Sequence, residues 1–349
     1  MALIRPIAEQ DVDALIAMAR ESGIGVTSLP DNPELMKRKL ARAVASFQQR
    51  LSPEEAHYIF VIQETPDGPP VGLCGIEARI GRDEVWYNYR VGEVIQASKA
   101  LGLYRRTPTL FLSNDLTGAT ELGSLYLREP NRRNRNGSVL SKCRYLFLAS
   151  FPNLFSQRVI AEMRGYSDAE GNSPFWDGLG RRFFNMEFSD ADFLTGSGDK
   201  VFIAELLPKF PIYVPMLPRS AQDVISAVHP HTQPALAMLE AEGFRKNGYV
   251  DIFDAGPAVE CELQRIGGVR RSDRVNARIV ERVEKDSAVR PSWMISNERF
   301  SEFRAITATH IYRDGPTLEL TPEQAEMLRI TAGDPVRVMS INPEEAQDA

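Results

Sequence analysis

The segment from residue 121 to residue 166 places the strongest constraint on the fold of this chain. The apolar run ELGSLYLREP is typical of a β-strand, and the polar loop NRRNRNGS separates it from VLSKCRYLFLASF, whose apolar residues recur at helical spacing. RVIAEMRGY then has the composition of a second strand. A strand–helix–strand order joins two parallel strands by a right-handed crossover. The sequence therefore predicts an α/β fold that contains one such crossover unit.

The other elements of the first 256 residues predict a mixed sheet with helices around this unit. After the strand LIRPI, one helix is predicted from the apolar stripe of Val12, Leu15, Ile16 and Ala19, and a second from Asn32, whose side chain can cap it. The remaining predicted elements are the hairpin of HYIFVIQET and PVGLCGIEARI, the strands VWYNYRVGEVI and TPTLFLSN, the helices SAQDVISAV and TQPALAMLEAEGF, and the strand YVDIFDAGP.

The sequence pattern changes at two points along the chain. It becomes irregular from Ser167, where SPFWDGLGRRFF has the Ser-Pro start of a helix and an aromatic stripe that we interpret as core rather than as a cofactor site. Beyond Gly256, short β-like runs alternate with charged or glycine-containing turns. We therefore predict a first domain at residues 1–256 with an insertion around 167–228, and a small β-rich domain at 257–349.

The composition excludes several classes of function. A formal charge of −6 and a pI near 5.5 argue against nucleic-acid and acidic-membrane partners, which need a positive surface. No apolar run approaches the roughly 20 residues that span a bilayer, and MALIRPIAEQ lacks the features of a secretory signal. The three cysteines are far apart and form no CxxC pair. We interpret them as reduced packing residues of a cytoplasmic protein without a disulfide or a metal site.

The loop PNRRNRNGSVL has the features of an anion-binding turn. It leads directly into a helix, whose first turn presents unpaired N–H groups, and Arg132, Arg133 and Arg135 add positive charge. The loop matches neither the P-loop pattern nor the dinucleotide fingerprint. From the loop alone, an anion site and a solvated basic turn that only caps the helix remain equally open.

The same loop resembles the coenzyme A loop of the GCN5-related N-acyltransferases, with Arg132 at the first motif position and Gly137 at the last. Arg135 replaces the middle glycine of that motif. More of the chain is similar to the arginine N-succinyltransferase family, in segments such as WYNYRVG, SLYLREP, AEMRGYSD, SPFWDGLGR and VHPHTQPALAMLEAEGF. The resemblance implies an acyl-CoA N-acyltransferase-like mixed sheet flanked by helices, followed by a small β-barrel-like domain.

The resemblance also implies where an acyl donor would bind. Succinyl-CoA would be a co-substrate, with no tightly bound cofactor and no metal. The main chain around Leu125 and Leu127 would hold its acyl end, and backbone N–H groups there could bind the thioester oxygen. Arg132, Gly137 and Ser138 would hold the phosphates at the start of the helix. Leu125 is equally well explained as an ordinary strand residue.

Two of the four histidines flank a proline in HPHTQP. The resemblance implies that His229 is the proton donor, and Pro230 restricts the backbone of His229 to extended geometry. A histidine can exchange protons near neutral pH, although a purely structural role would also fit this position. His231 could be a metal partner, but the further ligands of a metal site are missing, so we interpret it as a supporting group. We predict that Thr232 caps the next helix and that His57 and His310 are structural.

The function that the resemblance implies is transfer of a succinyl group from succinyl-CoA to the α-amine of L-arginine, in arginine catabolism. One alternative is a relative that acts on ornithine or another amine, and another is a non-catalytic acyl-CoA-binding subunit. Arg90, Asp115 and the loop GVTSLPD are candidates for amine recognition, and each has an ordinary structural explanation too. The family also implies a homo-oligomer, or a hetero-oligomer with a homologous subunit.

Overall fold

One mixed sheet organises the whole chain. The computed structural model describes residues 2–23, 28–82, 85–168, 170–188, 190, 191, 194, 205–281 and 293–341. Within these residues, sixteen strands form one continuous sheet in the order β14-β15-β11-β16-β12-β13-β1-β2-β3-β6-β7-β10-β9-β4-β5-β8. The strands are β1 (Leu3–Pro6), β2 (His57–Gln63), β3 (Gly72–Glu77), β4 (Asn88–Ser98), β5 (Leu103–Ser113), β6 (Thr120–Leu127), β7 (Arg158–Glu162), β8 (Ile212–Tyr213), β9 (Arg245–Val250), β10 (Pro257–Glu262), β11 (Asp273–Ile279), β12 (Trp293–Asn297), β13 (Ala305–Ala308), β14 (Tyr312–Asp314), β15 (Thr317–Leu320) and β16 (Pro335–Ser340). The predicted mixed α/β architecture is confirmed.

Helices cover both faces of the sheet. They are α1 (Val12–Ser22), α2 (Pro33–Phe47), α3 (Asn136–Ser150), α4 (Arg181–Phe184), α5 (Arg219–Asp223), α6 (Gln233–Ala241), α7 (Gly267–Arg270) and α8 (Pro322–Leu328). Helices α1 and α2 pack on Ile59 and Val61 of β2, whereas α3 packs on Tyr58 and Phe60 of the same strand. Because successive strand residues point to opposite faces, these helices lie on opposite sides of the sheet.

The predicted crossover unit is present as β6, α3 and β7. The two strands are parallel, but they pair only at Thr120 with Val159 and at Glu121 with Ile160. Beyond those pairs β6 continues to Leu127 without a partner on this side, so the strands separate toward their C-terminal ends. The resulting gap opens toward the start of α3.

The C-terminal β-runs join the same sheet at its other end. Strand β13 pairs with β1, and β12, β16, β11, β15 and β14 follow outward. Helix α8 was not predicted, although Thr321 and Gln324 form the capping box that marks its start. Strand β10 pairs with β7 and β9 in the central part of the sheet. The division into domains at residue 257 stays a prediction.

The insertion forms a second aromatic core beside β4 and β5. Phe175 and Trp176 are fully buried against Tyr89 and Phe253, so the interpretation of the aromatic stripe as core is confirmed. Ser173 Oγ accepts the backbone N–H of Trp176, as expected of a helix cap. Parts of this insertion, and residues 25–27 of the GVTSLPD loop, lie outside the described residues.

The prediction of a strand over YVDIFDAGP was correct only for its first two residues, Tyr249 and Val250, and wrong from Asp251 onward. Strand β9 ends at Val250, and Asp251 Oδ1 accepts the backbone N–H groups of Phe253 and Asp254 at 2.6 and 3.0 Å. An aspartate that bonds the backbone two residues ahead makes a tight turn, which competes with an extended strand. Apolar composition alone did not reveal this turn.

The stability of the fold should depend on the protonation of His57. This ring is buried at the start of β2, and its pKa lies well below 6.5, chiefly because of desolvation and also because Arg42 and Lys39 are near. The unfolded chain takes up this proton near pH 6.5 and the folded chain does not, so folding stability decreases as pH falls below that value.

We expect the free energy of unfolding to fall by roughly 1 kcal/mol more in the wild type than in His57→Gln between about pH 6.5 and pH 5.5. Urea denaturation of both proteins at each pH measures this difference. All other titrating groups are common to the two proteins and therefore cancel in the comparison. Equal pH dependence in the two proteins would contradict the assignment.

Candidate active site

The turn before α3 presents backbone donors toward the gap between β6 and β7. Asn134 and Arg135 both have left-handed backbone geometry, with φ of 51° and 61°, and α3 begins at Asn136. In the part of the chain that the structure describes, the N–H groups of Gly137 and Ser138 have no acceptor. A Cβ at Gly137 would meet nothing within 4 Å. The helix start is thus open to an anion.

The basic side chains of this turn have different surroundings. Arg132 is exposed, and its Nε donates to the carbonyl oxygen of Leu127 at 3.0 Å, which ties the turn to the end of β6. Arg133 pairs with Glu64 at 3.0 Å and lowers the pKa of that carboxyl group. The turn therefore offers positive charge mainly from Arg132 and from the helix end.

A β-bulge lies in β6 where the gap begins. Leu73 of β3 pairs with Tyr126 and Gly75 pairs with Gly123, so β6 has one more residue than β3 between these pairs. Ser124 has a φ of 53°, and the half-buried Leu125 follows it. A bulge redirects backbone groups away from the regular ladder. The structure therefore brings Leu125 and Leu127 to the gap, on the strand that leads to the Gly137 turn.

His229 is attached to the other side of the gap. Its backbone N–H donates to the carbonyl oxygen of Arg164, two residues beyond the end of β7, at 2.9 Å. Its Nδ1 accepts the backbone N–H of His231 at 3.2 Å. This contact favours the neutral tautomer that carries its hydrogen on Nε2. Desolvation, Arg164 and His231 lower the pKa of this buried imidazole below 6.5.

The predictions for the neighbours of His229 had different outcomes. Thr232 makes no capping bond with its side chain, so that prediction was wrong; His229 caps the short turn Pro230–Thr232 instead. The ring of His231 packs edge-on against that of His229 at 5.0 Å. Among the residues that the structure describes, no three His, Cys, Asp or Glu side chains are arranged to hold a metal ion. No helix in the same residues is long and apolar enough to cross a membrane.

An acidic recess, which the sequence did not indicate, lies on the face of β7 opposite α3. Glu162 ends β7 and accepts hydrogen bonds from Trp86 Nε1 at 3.0 Å and Asn88 Nδ2 at 2.7 Å. Desolvation, followed by Asp251 and Glu121, raises the pKa of Glu162 to about 8. The charged Glu162, directly after the three apolar residues of the strand segment RVIAE, was the only available signal.

Asp115 and Arg90, two of the candidates for amine recognition, lie on the protein surface and not in this recess. Asp115 is exposed and accepts the hydroxyl of Tyr249 at 2.8 Å, which lowers the pKa of that carboxyl group. Arg90 is exposed and stands opposite Tyr249 in the pairing of β4 with β9. Their contacts are those of surface residues.

A parallel strand pair that separates over the start of a helix is the arrangement of an N-acyltransferase fold. The comparisons with known proteins agree with this class. Residues 2–268 match the family model described as arginine N-succinyltransferase beta subunit, and residues 275–340 match the model of its C-terminal domain. This chain therefore belongs to the arginine N-succinyltransferase family, whose members are acyltransferases.

Individual relatives are similar over their full length. Proteins named arginine N-succinyltransferase from Escherichia coli and Shigella flexneri are 46% identical over 350 residues, which cover 99% of this chain and 99% of each relative. The solved structure of arginine/ornithine succinyltransferase subunit AI from Pseudomonas aeruginosa matches with a TM-score of 0.89. That protein is 33% identical, over 98% of this chain and 99% of its own.

Proposed function

We propose that this chain transfers the succinyl group of succinyl-CoA to the α-amine of L-arginine, in arginine catabolism. The observation that carries the proposal is the gap between β6 and β7 over the open start of α3, in a chain of this family. In the reaction, a bond forms between the amine nitrogen and the acyl carbon, and the bond from that carbon to sulfur breaks. One proton passes from the amine to the departing thiolate, so no further reactant is needed.

The residues around the gap would each bind a different part of the donor, from the diphosphate to the thioester. The N–H groups of Gly137 and Ser138 would hold the diphosphate, with Arg132 beside them. The main chain of Leu125 and Leu127 would bind the pantetheine and direct an N–H group at the thioester oxygen, where negative charge develops. Holding the donor and the amine together in this way removes much of the entropic cost of the reaction.

His229 would carry the proton to the departing sulfur. Its lowered pKa means that the free enzyme holds a neutral ring at pH 7, so the ring must take up the proton that the attacking amine releases. The growing charge on sulfur favours this protonated state while the bond to carbon breaks. His229 would then give the proton to the thiolate and return to its neutral form.

A buried arginine, Arg144, favours an acyl donor whose acyl group carries a free carboxylate. Arg144 of α3 is buried, and its guanidinium bonds the carbonyl of Gly123, in the separated part of β6, together with Ser141. It forms no ion pair with a carboxylate of the described residues. Because a buried charge is costly unless it is neutralised, Arg144 suits the free carboxylate of a succinyl group.

A thiol-release assay tests the proposed function. We expect release of CoA from succinyl-CoA with L-arginine, and a much slower reaction with butyryl-CoA, which has the same chain length and no carboxylate. L-ornithine is the competing amine, because the Pseudomonas relative is named arginine/ornithine succinyltransferase. Faster turnover of ornithine would favour that alternative. Release with none of a panel of amines would favour a non-catalytic acyl-CoA-binding subunit.

The location, the partners and the oligomeric state of this protein also stay predictions. We expect a cytoplasmic protein that acts on small molecules, without a nucleic-acid or membrane partner. We also expect an oligomer, formed either by identical chains or with a homologous subunit. The description of the Pseudomonas relative as a subunit supports an assembly.

A further inference from the structure

Arg164 lies beside His229, on the same side of the gap between β6 and β7. It stands two residues beyond the end of β7, and its carbonyl oxygen accepts the backbone N–H of His229 at 2.9 Å. After desolvation, Arg164 is the largest cause of the lowered pKa of the His229 imidazole, so the charge of its guanidinium reaches that ring. The side of the gap that is proposed to carry the proton therefore also carries a positive charge.

The backbone around Arg164 is fixed by hydrogen bonds on both sides. Met163 N–H donates to the carbonyl oxygen of Pro257 at 3.0 Å, and Gly165 N–H donates to Asp254 Oδ2 at 2.6 Å. A Cβ at Gly165 would lie 2.3 Å from the carbonyl oxygen of Asp254, so only glycine allows the chain to pack this closely. The position of Arg164 is therefore set by buried backbone contacts, as a binding residue requires.

A buried serine orients the guanidinium of Arg164. Its Nη2 donates to Ser167 Oγ at 2.9 Å, and Ser167 is 4% exposed, whereas Arg164 is half-buried. A hydroxyl oxygen is a neutral acceptor, so this bond directs the planar fork of N–H donors without neutralising its charge.

The two proposed substrates bring three kinds of anionic group to the gap. The diphosphate is proposed to lie at the start of α3 beside Arg132, and the succinyl carboxylate at Arg144. The third anion is the α-carboxylate of the amino acid, whose carbon lies about 2.5 Å from the nitrogen of the attacking amine. A cation that binds this carboxylate must lie next to the reacting nitrogen. Arg164 lies next to His229, the residue proposed to receive the proton of that nitrogen.

We propose that Arg164 binds the α-carboxylate of the amine substrate and so makes the enzyme specific for α-amino acids. The inference rests on the proposed succinyl transfer to an amino acid. An arginine fork binds a carboxylate through two parallel N–H···O bonds, which fix both its position and its orientation. With the α-carboxylate on Arg164, the α-amine is directed into the gap, between the imidazole of His229 and the thioester proposed to lie on β6.

L-Argininamide is the decisive probe, because a neutral amide replaces the α-carboxylate while the α-amine and the guanidinium stay. Isothermal titration calorimetry measures the binding of L-arginine and L-argininamide to the wild type and to Arg164→Met. We expect the wild type to bind arginine at least about 30-fold more tightly than argininamide, and Arg164→Met to bind the two within about threefold of each other.

Two further variants support this comparison. Arg164→Gln is a second neutral variant, whose amide can keep the bond to Ser167 Oγ, and it should lose the preference for arginine as Arg164→Met does. Arg265→Met removes an exposed arginine that pairs with Glu262 on the surface. It changes the net charge by the same amount and should keep the preference of the wild type.

Turnover of the two amines provides a second readout. The ratio of kcat/KM for arginine to that for argininamide should fall about tenfold or more in Arg164→Met, while KM for succinyl-CoA changes less than about twofold. Arg164 also acts on His229, but that effect is common to both amines and cancels in the ratio. A purely structural residue would lower the activity with both amines equally. An unchanged ratio in the neutral variants, or equal affinity of the wild type for both amines, would overturn the proposal.

The same measurements distinguish the inference from the proposed function. A wild type that prefers arginine through Arg164 but releases no CoA would contradict the proposed reaction and support the carboxylate site. A wild type that succinylates arginine and argininamide with equal kcat/KM would support the reaction and reject the role of Arg164.

Discussion

Replacing His229 with alanine is expected to lower kcat for arginine succinylation by about 100-fold or more, with little change in KM for either substrate. The imidazole is positioned by the bond from its backbone to Arg164 and by the contact of Nδ1 with the N–H of His231. Its removal leaves the thiolate to depart without a proton. The other residues proposed to bind the donor would be unchanged, so binding should persist.

The leaving group provides the control for this prediction. A succinyl thioester of an aromatic thiol forms a more stable thiolate, which can depart without protonation, so His229→Ala should lose far less activity with that donor. His231→Ala keeps the backbone N–H that contacts His229 and should retain most of the kcat. An equal loss with both thioesters would indicate that His229 shapes the site and does not carry the proton.

Introducing a negative charge at Gly137 should weaken donor binding strongly. In Gly137→Asp we expect the dissociation constant for succinyl-CoA to rise roughly 100-fold, equivalent to about 3 kcal/mol. Position 137 is the second residue of α3, and its surroundings have room for a side chain. A carboxylate there would repel the diphosphate and occupy its place. Isothermal titration calorimetry with succinyl-CoA measures the effect.

The Gly137→Asp substitution should increase folding stability, although it weakens the binding of succinyl-CoA. A helix gains about 1 kcal/mol when a glycine is replaced and a negative charge stands at its N-terminal end, so Gly137→Asp should unfold at equal or higher urea concentration. Gly137→Asn is the matched neutral variant, and it should lose less donor affinity than the aspartate. If both variants bind succinyl-CoA as the wild type does, the phosphates do not lie on this turn.

The sequence alone was sufficient for features that depend on local patterns. The strand–helix–strand unit, the β2–β3 hairpin and the cap of α2 by Asn32 follow from residue spacing and side-chain chemistry within a few positions, and all three are present. The family could be recognised from short segments for the same reason.

Features that depend on a side chain bonding the backbone, or on residues distant in the chain, could not be read from apolar spacing. Asp251 forms a turn because its carboxylate reaches the backbone ahead of it, which apolar spacing does not report. The hydrogen bond from the backbone of His229 to that of Arg164 joins residues that are 65 positions apart (229 − 164). Neither residue signals the other in the sequence.

The acidic recess is the clearest case. Asn88 and Glu162 are 74 residues apart and lie on strands that are not neighbours in the sheet. The sequence by itself determined most of the elements and the family, and it left open whether the turn before α3 is free to bind an anion. Only the curvature of the assembled sheet decided that the Asn88 amide nitrogen donates to the Glu162 carboxyl group, because that curvature results from packing across the whole molecule and not from any local propensity.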